Sequence, residues 1–227
     1  MLFACQPARG ATDSARQQVR TGLKQHLAGE YGAATESFAE AAKTLPDEPR
    51  VTYDRACALA AQGKRKEATD LFQQAALARE PQLAASSHYN LGCLVAQQAR
   101  ELFGEKPEEA DATTREQGVK LLHEAVMHYR DCLRIDGNHE PARKNLELLR
   151  LWIKHMDDVW ARRDREKRRE EMDLLQFLDW IEGEQRTLEA AVKSLGQIDG
   201  SPRQRQAVAV TENSQRLLAD EIEPLQQ

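Results

Sequence analysis

A chain of 227 residues is long enough for one large or two small domains. Its formal net charge of −5 argues against general nucleic-acid binding, which usually shows as a basic surplus. No stretch approaches the roughly 18 apolar residues that a membrane-spanning helix needs. Alanine, leucine, glutamine, glutamate and arginine fill most of the sequence and all favour helix. No run alternates apolar and polar residues between turn signals, so the predicted fold class is all-α.

Residues 1–13 read as a flexible amino terminus. Within them Leu2-Phe3-Ala4-Cys5 is similar to the end of a bacterial lipoprotein signal, in which the cysteine becomes the lipidated first residue. A signal needs a basic start and an apolar run of about 7–15 residues before the cleavage site, which four residues do not supply. Two readings stand: a longer precursor anchored through Cys5 to a membrane on its periplasmic side, or a chance match in a cytoplasmic protein. Cys57, Cys93 and Cys132 form no CxxC pair and fall inside predicted helices, where free cysteine acts as a small buried hydrophobe.

The organising stretch is Gly29 to Pro46, with Gly29, Tyr31, Ala34, Phe38, Ala41 and Pro46 as its frame. Thirty-four residues on, the frame returns as Gly63, Arg65, Ala68, Phe72 and Ala75, with its proline one place late at Pro81. A fixed period of this length marks a helical hairpin repeated along a solenoid. The pattern resembles the tetratricopeptide repeat (TPR) family over about residues 15 to 150. In the first unit, helices are predicted over Ser14 to Ala28 and Tyr31 to Thr44, with Gly22 where the two approach closely and Pro46 as a stop. The second unit has Ala56 at that small position and turns at Gly63, where a positive φ is expected. The third begins HYNLGCLVAQQA, with Gly92 at the small position, and is then interrupted at about 100–118 by some 20 residues. The expectation is that Gln97 to Phe103 lengthens the first helix and that the rest is a solvated loop; the alternative is a binding loop on one face of the solenoid. The frame resumes with Ala125, Tyr129 and Cys132, which gives a solenoid of three repeats over 14–139.

From Glu140 a fourth first helix begins and no second helix follows. A long helix is predicted over 140–195, with a heptad frame through Leu146, Ile153, Trp160, Lys167, Leu174, Ile181, Leu188 and Leu195. That seam, 146–195, offers a second contact or a self-association surface. The block ARRDREKRREE interleaves acids with its bases and reads as a self-paired, solvated helix rather than a nucleic-acid patch. Residues 196–227 hold a turn at Asp199-Gly200-Ser201-Pro202 and a last helix, Arg203 to Ile222, folding back as an antiparallel hairpin on a thin apolar set. With no capping signal after Pro224, the native chain is expected to continue.

No catalytic, cofactor or metal motif emerges. His123 and His128 are five apart, about 140° round a helix, so they diverge instead of sharing a face. There is no Gly-rich phosphate loop and no Cys and His arrangement with a third partner. The expectation is a protein that is not an enzyme.

The TPR resemblance implies a concave face lined by the first helix of each repeat. Carried onto this sequence, its polar or aromatic members are Arg20, His26, Arg50, Tyr53, Asp54, Tyr89, Asn90 and Gln97, with Lys144 and Asn145 extending the row. Arg20, Arg50, Tyr53, Asp54, Tyr89 and Asn90 are the candidate groove residues: arginine and tyrosine anchor interfaces, and an asparagine amide can bond an extended peptide twice. Val19 and Leu23 stand where the carboxylate-clamping TPR groups have lysine and asparagine, so clamping of a C-terminal carboxylate is not expected. The segment NHEPARKNLELLRLW after an Asp-Gly turn is similar to bacterial TPR proteins encoded beside MoxR-type ATPases and von Willebrand factor A-domain proteins in aerotolerance-type clusters. That resemblance implies a scaffold in an assembly with such partners. The expected function is a non-catalytic scaffold binding a protein or peptide segment; the alternative is a structural spacer holding the repeats away from a membrane or a larger part of the protein.

Overall fold

Almost every described residue outside the turns is helical, as the composition predicts. The computed structural model describes residues 9–46, 48–195 and 201–222. Among them lie nine α-helices and no strand: α1 (Arg9–Leu27), α2 (Tyr31–Thr44), α3 (Pro49–Ala61), α4 (Arg65–Ala75), α5 (Pro81–Phe103), α6 (Ala112–Ile135), α7 (Glu140–Glu171), α8 (Leu174–Ser194) and α9 (Pro202–Ile222). Cys5 and the turn at 196–200 lie outside the described residues, as does everything after Ile222. No described helix is long and apolar enough to cross a membrane. Two compact units meet at Met156 and Asp157, within α7.

The first unit is built of helical hairpins, α1–α2, α3–α4 and α5–α6. One contact recurs in them: an aromatic side chain of the second helix lies against a small residue of the first. A Cβ on Gly22 would come within 2.8 Å of the Phe38 ring, and one on Gly92 within 2.7 Å of Tyr129. In the second hairpin, Ala56 and Phe72 share one buried cluster with Leu59, Ala68, Leu91 and Leu94. Gly29 and Gly63 turn the first two hairpins at φ +80° and +77°, where a side chain would be strained. Alanines 34, 41, 68, 75 and 125 are fully buried, so the frame residues are the glue between helices.

Four expectations need correction. Helix α1 starts at Arg9, so part of the flexible terminus expected over 1–13 is helical; no proline follows Gly10 to stop a packed helix from propagating backwards at little cost. Pro81, matched in the frame to the stop Pro46, instead opens α5, where its missing N–H is harmless. Within the interruption, α5 ends at Phe103 as expected, followed by Gly104 at φ +68°, but α6 starts at Ala112, so 112–118 is helix and not loop. Between them are a 3₁₀ turn, Pro107–Glu109, and Asp111, whose carboxylate accepts from the Thr114 N–H at 2.8 Å. Burial explains the extension. A methyl on Gly118 would overlap the Phe103 ring, so a second aromatic-on-glycine contact stacks above the first.

The fourth correction is that the helix expected over 140–195 is two helices. It continues through the charged block and through Gly183 but breaks at Met172-Asp173. Asp173 accepts from the Gln176 N–H at 2.9 Å and the Gln176 side chain accepts from the Asp173 N–H at 3.1 Å, a capping box that starts α8 afresh. Leu174, a seam position in the heptad frame, is therefore 61% exposed, while Phe177 and Ile181 are buried.

In the second unit α9 packs on α8. Leu217 and Ile222, two of its expected apolar contacts, are exposed, and its buried residue is Glu221. Arg168 donates to Glu221 at 3.0 Å and Arg169 at 3.3 Å, and the Arg168 guanidinium lies 4.4 Å over the Trp180 ring. The charged block is thus not wholly self-paired: Lys167 meets Glu171, but its two neighbouring arginines neutralise a carboxylate some fifty residues away. A buried carboxylate needs such partners to remain charged.

Candidate functional site

Helices α3 and α5 place Arg50, Tyr53 and Asp54 beside Glu80, Gln82, Leu83 and Ser86 around a shallow depression of about 260 Å³. Three of the six candidate groove residues line it. Arg50 grips Glu80 bidentately, Nε to Oε2 at 3.1 Å and Nη2 to Oε1 at 2.6 Å. This bond raises the Arg50 pKa and lowers that of Glu80. Both groups are solvent-exposed, so the pair is exchangeable and contributes little to the fold. Asp54 is partly buried, which pushes its pKa up, with His26 and Arg50 nearby in opposition.

Tyr53 is half-buried, and its hydroxyl accepts from the Asn90 amide at 2.9 Å. Burial pushes its pKa up to about 12, with Cys57 adding to the shift and Asn90 opposing it. The Cys57 thiol is likewise pushed up to about 11, mainly by burial. The next step repeats the motif: the Asn145 amide of α7 reaches the Tyr89 hydroxyl at 3.4 Å and the Tyr129 hydroxyl at 3.5 Å, while Tyr129 donates to Cys93 Sγ at 3.6 Å. Each repeat's tyrosine is thus tied to the asparagine of the following first helix. One N–H of Asn90 is committed to this ladder, leaving its carbonyl and second N–H for other bonds.

Arg20 is exposed on α1 and lies outside the depression's lining. Gln97 bonds Glu101 at 3.1 Å, and Glu101 in turn pairs with Arg65 at 2.6 Å. Gln97 and Glu101 belong to a second hollow of about 800 Å³, lined also by Arg100, Phe103, Gly104, Leu122 and Trp152 among others. The Phe103 and Trp152 rings stand 5.3 Å apart. The sequence predicted the α5 extension through Phe103 but placed a loop over 112–118, where α6 begins.

A further cluster was missed. His123 is exposed, and His128 does diverge from it. His128 instead faces His88 of α5, ring centroids 6.1 Å apart, with Asp131 one turn on. Burial lowers the pKa of both histidines. The i, i+3 pair His128 and Asp131 was readable in the sequence; its partner across the hairpin was not.

No family model matches the chain, and no curated protein matches it. A solved structure similar to it is the Sgt2 TPR domain from Aspergillus fumigatus, at 15% identity and a TM-score of 0.49 over 70% of this chain and 88% of that one.

Proposed function

We propose that the protein is a non-catalytic interaction scaffold whose concave helices hold a segment of a protein partner. The observation that carries this is the depression at Arg50, Tyr53 and Asp54, where an exposed, exchangeable ion pair and a fixed tyrosine sit side by side. A partner carboxylate would compete with Glu80 for the Arg50 fork, and Tyr53 would supply rigid apolar area, the residue pair that most often anchors interfaces. Asn90 offers its remaining donor and acceptor to the partner backbone. The exposed leucines 174, 175 and 178 of α8 supply a second contact surface, or one for self-association, now that much of the expected seam is buried within the chain.

The resemblance of the NHEPARKNLELLRLW segment nominates a MoxR-type ATPase and a von Willebrand factor A-domain protein as first partners to test. Capture of those partners by the wild-type chain is compared with capture by Arg50→Ala/Tyr53→Ala. The double variant is expected to lose affinity by about a hundredfold, since anchor residues cost about 2 kcal/mol or more each when truncated and such losses are not additive. Unchanged capture by a folded double variant, with crosslinks mapping away from α3 and α5, would refute the groove.

A further inference from the structure

His88, His128 and Asp131 offer one ligand atom each, and those atoms all lie within 4.8 Å of one another. They come from the two helices of one hairpin, held in register by Tyr129 against Gly92 and Phe103 against Gly118. A rigid frame of that kind fixes the separation of side chains reaching across it. The Nδ1 atoms of both histidines are buried and have no hydrogen-bond partner in the protein. Two unsatisfied ring nitrogens side by side are a cost that a hydrophobic pair at the same positions would avoid. Something that accepts their lone pairs would remove it.

We infer that His88, His128 and Asp131 form a binding site for a divalent transition-metal ion of the zinc type, clamping α5 to α6. Two imidazoles and one carboxylate are a borderline donor set, suited to zinc, cobalt(II) or nickel(II) and unsuited to calcium or magnesium, which take oxygen ligands. Ligand atoms at about 2.0–2.2 Å from a tetrahedral centre stand about 3.4 Å from each other. Side-chain rotations would have to close the spread here to that value. The obstacle is Arg134, which donates to Asp131 Oδ1 at 3.0 Å. That pair is an exposed i, i+3 contact on one helix, with the Arg134 side chain 76% exposed, and such pairs are weak enough for a metal ion to displace. Three protein ligands leave a fourth position, which water fills.

The test uses the full chain, stripped of metal with a chelator and titrated with zinc by calorimetry and with cobalt(II) by visible absorption. One equivalent of zinc is expected to bind, with a thermal midpoint that rises with zinc concentration and a tetrahedral cobalt spectrum free of thiolate charge transfer. His88→Ala/His128→Ala should abolish all three signals, and Asp131→Asn, an isosteric change that preserves packing, should weaken binding at least tenfold. His123→Ala, five residues away on the exposed side of α6, should leave binding unchanged. Retention of the same affinity in His88→Ala/His128→Ala would overturn the site. So would a strong thiolate-to-cobalt band, which would move the metal to Cys57, Cys93 or Cys132, and so would the absence of zinc binding by folded wild-type protein.

Discussion

The second and third hairpins are made from the same contact and put to different uses. In α3–α4 one aromatic residue, Phe72, shares a closed apolar cluster with Ala56, and the helices end soon after. In α5–α6 the equivalent pair, Tyr129 on Gly92, is followed about three turns further out by Phe103 on Gly118. The extra turns bring a feature that the regular hairpin lacks, the Phe103–Trp152 hollow beyond the frame, while the His88–His128 pair belongs to the hairpin's regular part. A repeat unit carries its own packing and little else; lengthening it creates surface that its neighbours do not cover. In a solenoid, where each repeat contacts only its neighbours, such an addition leaves the other hairpins intact.

The largest expected effect breaks the extension alone. Phe103 is 7% exposed, and Phe103→Ala is expected to cost about 3–5 kcal/mol in urea unfolding, as for other buried aromatic truncations. Gly118→Ala forces a methyl into the Phe103 ring and should cost about 1–3 kcal/mol. Hydrogen exchange should show faster amide exchange over 100–118 in both variants while α2 and α4 keep their protection. A cost below about 0.5 kcal/mol for both would mean that 112–118 belongs to the solvated loop its composition suggests.

That composition is why the start of α6 was missed: 104–111 does lie outside the α-helices, and Ala112 to Gly118 reads as more of the same loop because its apolar face is set by two residues, Phe103 and Gly118. Where the signal was local and repeated, it sufficed: α2 runs from Tyr31 to Thr44 as expected, and Gly63 has the positive φ its turn requires. The break before α8 was also local, an Asp-x-x-Gln box at 173–176, but the heptad phase running across it masked it. The Glu221 cluster had no local sign, because Arg168 and Arg169 meet it only after the chain has turned twice. The candidate groove residues were readable as positions on a face. Their partners were not, although Tyr53 and Tyr89 stand one repeat-place before Asn90 and Asn145, which is the ladder written in the sequence.

That ladder sets the next comparison, between adjoining repeats. Asn90→Ala removes the donor to Tyr53 and should cost about 1 kcal/mol, with the regular hairpins otherwise unchanged. Alkali gives a second view of the same contact. Tyr53 has a folded pKa of about 12 against an ordinary 10, so folding favours its neutral form. Its contribution is fully present below pH 10 and is lost as the pH rises from 10 through about 12. Stability measured over that window should therefore fall less steeply in Tyr53→Phe than in the wild type. Equal slopes would mean that Tyr53 is solvated in solution and not half-buried.

The smallest effect has the opposite sign. Gly183 lies mid-helix in α8 with no atom within 4 Å of where its Cβ would stand, and it carries no positive φ. Nothing requires a glycine there. Gly183→Ala removes the backbone freedom of the unfolded chain at no steric cost and should stabilise the protein by about 0.5–1 kcal/mol, read as a raised thermal midpoint. Gly118 and Gly183 are thus one residue type in two helices with opposite expected outcomes, destabilising at the first and stabilising at the second. The sign is decided by whether an aromatic ring occupies the space. If Gly183→Ala also destabilised, α8 would have to be packed against something on that face of the helix.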